Sequence, residues 1–261
     1  MIKDISSLHG INIGMIMHEI TAVVPTRKGS ERVKSKNTRP FAGKSLLEVK
    51  LETLLYLQNN TTRFIKDIVV NSDCEESRRI AESYGVPFIE RDPYLASSDA
   101  PIVDYWKEVL LNTKTEHSML CQCTSPLISY PTYTRAICAY NGKSLICVDD
   151  VKDYLWYDHV THDEPHNYDW PNHPKSQDLD GHFYKLNFGI AIISKEELKE
   201  FNNIKTPNSI HYHLSEHENL DIDNTTEFKI AEMMYKEKTD IEMMYQEKMI
   251  ALKENNDGNT E

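Results

Sequence analysis

The chain has 261 residues and a formal net charge of −12, from 41 acidic and 29 basic side chains. That length can bury a sizeable core as one domain, or as one domain with an appendage. The acidic balance excludes bulk nucleic-acid binding, and no run of residues is apolar for long enough to span a membrane or has signal-peptide layout.

Residues 1–18 contain Met1, Met15 and Met17 and read as an N-terminal extension with no assigned function. The apolar run 22–24, closed by Pro25, predicts a buried strand. The loop after it carries Arg27, Lys28, Arg32, Lys34, Lys36 and Arg39, with Gly29 and Ser30 at its turn. So many cations in one short loop of an acidic protein call for a local polyanion, and a strand–loop–helix arrangement supplies backbone N–H groups for phosphate. The spacing is not that of a Walker A loop.

Leu47, Leu51, Leu54 and Leu55 have helical spacing over 46–57. A strand follows at 67–71, closed by Ser72 and Asp73, then a helix over 75–84 that ends at Gly85. Residues 86–89 read as a short strand and 100–111 as a helix with Pro101 in its first turn. The next strand, 118–122, leads into the turn at Cys123, Thr124, Ser125 and Pro126, and a helix follows over 132–140. Residues 145–148 give another strand. Strands alternating with helices of this length predict an α/β fold with a doubly wound, mostly parallel sheet in three layers. The basic loop, Asn71–Asp73 and Gln122–Ser125 all follow strands, where such sheets bind ligands, so they can converge on one crevice.

From 151 to 182 the chain is rich in Trp, Tyr, His, Asp and Pro and has no period. This insertion reads as a lid or a dimer-forming segment. Residues 183–193 return to strand composition, and Ser194 with Glu197 makes a capping-box pattern for a short helix through Phe201. A strand at 210–214 and a long helix from Thr225 follow. That helix holds a near repeat, Met-Met-Tyr at 233–235 and again at 243–245, whose stripe is expected to pack on the sheet or on another subunit. The tail 255–261 is polar and reads as disordered, which leaves 19–254 as the folded domain.

The five cysteines are odd in number and lack a C-x-x-C pair, so they read as reduced, buried thiols in a cytoplasmic chain. The histidines at 159, 162, 166, 173 and 182, and at 211, 213 and 217, are assigned packing and surface roles in preference to a zinc site. Asp221 and Asp223 flank one residue. On an extended segment they point the same way, and two hard oxygen donors suit Mg²⁺.

Taken together, these motifs resemble the acylneuraminate cytidylyltransferases, the CMP-sialic acid synthetases and their relatives. Arg27, Ser30, Lys36, Asn37 and Gly43 follow that family's first loop in order. Asn71-Ser-Asp73 is similar to its Ser-Thr-Asp, and Glu90-Arg91-Asp-Pro-Tyr-Leu-Ala-Ser-Ser98 to its Arg-Pro-x-x-Leu-Ala-x-Asp. Leu120-Cys-Gln-Cys-Thr-Ser-Pro-Leu127 is close to Leu-Leu-Gln-Pro-Thr-Ser-Pro-Leu, and Leu220-Asp-Ile-Asp223 matches Ile-Asp-Ile-Asp. The resemblance spans roughly residues 20–232.

It implies a Rossmann-like nucleotidyltransferase fold and transfer of CMP from CTP to an acidic sugar, with pyrophosphate as leaving group, in glycan or surface-polymer biosynthesis. It implies Arg27, Lys36 and Asp223 as catalytic, with Thr26, Ser30, Asn37, Arg91, Gln122 and Thr124 around the nucleotide. Arg91 has a competing reading as a surface ion pair with Asp92 or Glu90. Ser125, Lys185 and Asn187 are implied on the acceptor side, Mg²⁺ on Asp221 and Asp223, and a homodimer joined through 151–182. Cys123 stands where the family has Pro and Ile128 where it has Arg; the latter change points to an acceptor other than sialic acid, such as another acidic sugar, a sugar phosphate or a phosphonate. Two readings compete: a sugar-phosphate nucleotidyltransferase of the same fold, whose Gly-x-Gly-Thr-Arg loop is absent, and a non-catalytic nucleotide-binding homologue.

Overall fold

The computed structural model describes residues 18–30, 32–60, 64–158, 163–179 and 183–240. The leader through residue 17, the second Met-Met-Tyr unit, the polar tail, and His159, His162 and His182 lie outside the described residues.

The chain begins with β1 (Ile20–Pro25), β2 (Pro40–Phe41), β3 (Lys44–Ser45), α1 (Leu46–Asn60), β4 (Ile65–Ser72), α2 (Glu75–Ser83) and β5 (Phe88–Glu90). Next come α3 (Pro93–Ala96), α4 (Ile102–Leu111), β6 (His117–Cys121), α5 (Tyr130–Ala139) and β7 (Ser144–Asp150). The last part holds β8 (Trp156–Asp158), β9 (Asp163–Pro165), β10 (Tyr184–Ser194), α6 (Lys195–Phe201), β11 (Ser209–His213) and a helix over 225–240, here α7.

Seven strands form one sheet in the order β11-β7-β10-β6-β1-β4-β5. β1 lies at its heart, parallel to both β4 and β6, and every residue of β1 is buried. Such a strand needs apolar cover on both faces, as in α/β sheets. The side chains alternate accordingly. Ala22 and Val24 enter a cluster with Leu47, Leu51 and Leu54 of α1; Val23 enters a second cluster with Trp106, Val109 and Leu110 of α4. β10 runs antiparallel to β6 and β7, which makes the sheet mixed but mostly parallel.

β10 is irregular between Asn187 and Ala191, where its pairing with β7 shifts. Gly189 lies in that stretch. A Cβ there would sit 2.5 Å from Ile128 Cδ1 and 2.9 Å from Ser125 Oγ, so only glycine lets β10 pass the turn after β6 this closely.

Ser194 caps α6 by accepting from the Glu197 N–H at 3.1 Å, but the reciprocal half of the capping box is absent. The Ser194 N–H donates to Lys143, and Glu197 Oε1 accepts from Asn208. A capping box does form at α7. Asn224 Oδ1 accepts from the N–H groups of Thr226 and Glu227, while Glu227 Oε2 takes those of Asp223 and Asn224. α7 docks through Phe228 and Ala231, both buried, and half-buried Tyr235; Phe228 and Tyr235 each lie 5.5 Å from Phe41. Met233, expected in the packing stripe, is 71% exposed on the other face.

The insertion contains a small two-stranded antiparallel sheet, β8 with β9, which its composition did not announce. Aromatic contacts order it: Trp156 packs near Tyr168 and Trp170, and Tyr154 packs against His173. No helix among the described residues is long and apolar enough to cross a membrane.

Candidate active site

A cavity of about 500 Å³ opens beyond the carboxyl ends of β1, β5 and β6. Thr26, Arg27, Ser30, Lys36 and Asn37 reach it from the loop after β1. Arg91 reaches it from beyond β5, Gln122 and Thr124 from the turn after β6, and Asp223 from the segment before α7. Nine of the residues singled out in the sequence thus meet around one space. Ser125, Lys185, Asn187 and Asp221 stand outside its lining.

Short local bonds shape the basic loop. The Thr26 N–H donates to the Asn71 carbonyl at 3.0 Å, and the Lys28 N–H to Asp73 Oδ1 at 2.8 Å. Asp73 therefore ties the strand-end turn of β4 to the loop. Ser35 is left-handed, at φ 52°, and its carbonyl accepts from both Thr38 and Arg39. Asn37 gives its carbonyl to the Leu47 N–H at the start of α1. Its side-chain Oδ1 is buried and has no hydrogen-bond partner among the described residues.

Lys36 crosses the cavity edge, and its Nζ donates to the carbonyl of Ile222 at 2.5 Å. Burial lowers the Lys36 pKa, while Asp223 and Asp221 act to raise it. Arg32 pairs with Asp223 at 3.2 Å, with both side chains largely exposed. Ile222 in turn donates its N–H to the Thr124 carbonyl at 2.9 Å. Basic loop, acidic segment and the turn after β6 are thereby joined through Ile222.

Arg91 is not in a surface ion pair. It is 3% exposed; its Nε donates to Asn71 Oδ1 at 2.6 Å and its Nη2 to the Asn71 carbonyl at 2.8 Å. Glu90 pairs instead with Arg78. Burial lowers the Arg91 pKa, with Tyr105 and Asp73 opposing. The guanidinium lies 4.7 Å from the centre of the Tyr105 ring, which also lines the cavity. Tyr105 was missed in the sequence, where it reads as one more residue of an amphipathic helix.

Asn187 is 3% exposed. Its Nδ2 is shared between the Asp149 carboxylate and the Asn219 carbonyl, and its Oδ1 accepts from Gly189. Burial raises the Asp149 pKa, the Asn187 bond acts to lower it, and Asp221 adds to the rise. Ser125 is fully buried, and Lys185 is exposed on β10. Asp221 Oδ1 is buried without a hydrogen-bond partner among the described residues. A buried, unpartnered carboxylate oxygen beside a second carboxylate on the cavity wall fits a hard divalent cation better than it fits a closed apolar core.

A second residue missed in the sequence is Lys50, on α1. It is 1% exposed, and its Nζ donates to the Ser125 carbonyl at 2.9 Å and to Tyr133 Oη at 2.7 Å. Burial lowers its pKa to about 8. Cys121 and Cys123 lie buried nearby, and burial pushes both thiols up to about 12. They are protonated and unreactive at neutral pH.

Among solved structures, the fold is similar to a CMP:2-keto-3-deoxy-manno-octonic acid synthetase complexed with CTP, with a TM-score of 0.59 at 11% identity, over 84% of this chain and 99% of that one. At that identity the likeness is one of fold. In sequence, the chain is 26% identical to an N-acylneuraminate cytidylyltransferase of Escherichia coli O18:K1:H7, over 82% of its own length. It spans about half of that protein, 51%. It is 25% identical to the post-translational flagellin modification protein B of Campylobacter coli, over 85% of this chain and 97% of that one. The cytidylyltransferase family model matches residues 21–250, a span that holds the basic loop, the Asn71–Asp73 turn, Gln122–Ser125 and the Asp221–Asp223 segment. The chain belongs to the cytidylyltransferase family.

Proposed function

We propose that this chain is a CTP-dependent cytidylyltransferase that transfers CMP to an acidic sugar or related acceptor and releases pyrophosphate. The observation that carries this reading is the Lys36–Ile222 bond, which ties a cationic loop to the Asp221–Asp223 segment, with Lys36 and Asp223 both lining one cavity. An oxygen of the acceptor attacks the α-phosphorus. Its bond to phosphorus forms as the bond from that phosphorus to the bridging oxygen breaks, and pyrophosphate leaves with the electron pair.

Arg27 and Lys36 neutralise charge on the triphosphate as pyrophosphate departs. Catalysis of this kind is mainly positioning and electrostatics in a site already organised. Arg91, locked on Asn71, offers its remaining N–H groups to the nucleotide. The unpartnered Asn37 Oδ1 accepts from a ligand hydroxyl or amino group, with Thr26 and Ser30 alongside. Gln122 and Thr124 line the wall beside the nucleotide, and exposed Lys185 meets the acceptor. Ser125 and Asn187, both buried, shape that side from behind. Asp221 and Asp223 would hold a Mg²⁺ ion, which would neutralise charge on the phosphates.

A specific observation bears on the acceptor. Ile128 is 1% exposed and packs toward Gly189, so the position that is Arg in sialic-acid enzymes brings no charge to this side. This favours an acceptor other than sialic acid: another acidic sugar, a sugar phosphate or a phosphonate. A panel of these with CTP, read by pyrophosphate release, tests it; equal or better use of sialic acid contradicts it. We further read the protein as a cytoplasmic homodimer joined through 151–182, where Trp156 and Trp170 are 44% and 67% exposed. Light scattering on the protein and on a Trp156→Ala, Trp170→Ala double variant checks the dimer.

A further inference from the structure

Lysine is almost never fully buried unless it is paired with a carboxylate. Lys50 is 1% exposed and makes no ion pair among the described residues. The carboxylate that acts on it, Glu218, is committed elsewhere: it accepts from Ser129 N–H and Oγ, at 2.9 and 2.6 Å, and from Thr132. Two neutral oxygens hold the ammonium instead, the Ser125 carbonyl and Tyr133 Oη, with the Tyr133 ring centre 5.0 Å from Nζ. As a contribution to stability this is a poor arrangement, because a desolvated cation costs more than two neutral acceptors return.

The position of the acceptor carbonyl explains what the lysine does. Ser125 belongs to the turn after β6 that brings Gln122 and Thr124 to the cavity. The Thr124 carbonyl accepts from Ile222, and the Ile222 carbonyl accepts from Lys36. Lys50 is thus the inner anchor of a chain of contacts that ends on the catalytic loop. At Ser125 itself the other hydrogen bonding is sparse. The Ser125 Oγ has no hydrogen-bond partner among the described residues, and the Ser125 N–H reaches only the Gln122 carbonyl, at 3.4 Å. At residue 123 a cysteine stands, so no proline ring fixes φ there.

We infer that Lys50 is a positioning residue for nucleotidyl transfer: its buried ammonium pins the Ser125 carbonyl and so fixes Gln122, Thr124 and, through Ile222, Lys36 and the aspartate pair. The inference rests on the cytidylyltransferase reading. It separates two quantities that a purely structural lysine would move together. Lys50→Met keeps the length and removes the charge; relief of the desolvated cation offsets the Ser125 carbonyl left without its donor, so stability holds while the turn is released.

The test measures thermal midpoint, pyrophosphate release and CTP affinity for the wild type, Lys50→Met and Tyr133→Phe. In Lys50→Met the midpoint is expected to hold or rise, and kcat to fall roughly 10- to 100-fold, the cost of misplacing reacting groups by about 1 Å. CTP affinity should fall less than kcat, because misplaced groups cost more in the transition state than in the bound ground state. Tyr133→Phe keeps the Ser125 bond and should retain near wild-type kcat. Unchanged kcat in Lys50→Met overturns the inference, as does a fall in midpoint that accompanies the loss of activity, or an equal loss of kcat in Tyr133→Phe. If the wild type itself releases no pyrophosphate with any acceptor, the cytidylyltransferase reading fails first; wild-type turnover with an unaffected Lys50→Met fails the inference alone.

Discussion

Lys36 Nζ donates to the main-chain carbonyl of Ile222, the residue between Asp221 and Asp223, at 2.5 Å. One side chain therefore binds a loop that follows the first strand to an acidic segment that precedes the last described helix. Lys36→Met should lower kcat/KM for CTP by about 10²–10³, the typical loss of one organised charge-assisted donor. The thermal midpoint should move little, since Lys36 is only half-buried. Steady-state kinetics and a thermal melt check both halves. A variant with full activity would remove Lys36 from the mechanism.

Asp223 is exposed enough that its pair with Arg32 adds little to stability, at most about 1 kcal/mol. Asp223→Asn is therefore expected to fold normally and to lose metal-dependent turnover. A chelator should silence the wild type, and added Mg²⁺ should restore it but not the variant. Turnover that survives the chelator would contradict the placing of a cation on this segment.

Arg91 and Asn71 form a planar two-bond contact that lysine cannot reproduce, because its ammonium is a point donor on a flexible stem. Arg91→Lys should raise KM for CTP about 10-fold and cost about 1–3 kcal/mol, since it leaves the buried Asn71 Oδ1 without its donor, while the Asn71 carbonyl keeps the Thr26 N–H. Urea unfolding together with CTP titration reads the two effects separately.

Lys50 makes stability depend on pH with a defined sign. Burial lowers its folded pKa to about 8 from the ordinary 10.5. Below 8 both states hold the proton and the desolvation cost is fully present. Between 8 and 10.5 the unfolded chain holds the proton and the folded chain does not, so stability rises with pH through that window. At 1.36 kcal/mol per pKa unit the gain is on the order of 3 kcal/mol. The difference between the wild type and Lys50→Met in urea should shrink from pH 7.5 to 10; a constant gap would contradict the assignment.

How far the site was legible in the sequence depended on how local each cause is. β1, the loop after it and the Asp221–Asp223 segment are set by near neighbours, and residue type and order exposed them. The Asn224–Glu227 capping box was equally local and readable, since Asn-x-x-Glu stands directly before the helix. Arg91 could not be resolved between cavity and surface, because the choice was made by Asn71, twenty residues away and on a neighbouring strand. Nothing local marked Lys50 in the sequence; only the meeting of α1, α5 and the turn after β6 buries it. Met233 does not join Tyr235 on the sheet for a related reason: a helical stripe shows which residues share a face, and the docking partner decides which face is covered. Here Phe41 selected Phe228 and Tyr235.

The most direct test of the central claim is pyrophosphate release from CTP and Mg²⁺ over a panel of sialic and other ulosonic acids, sugar phosphates and phosphonates. The wild type and Asp223→Asn are compared side by side. The account predicts release with at least one acidic acceptor, lost in Asp223→Asn. No release with any acceptor and no binding of CTP would contradict it.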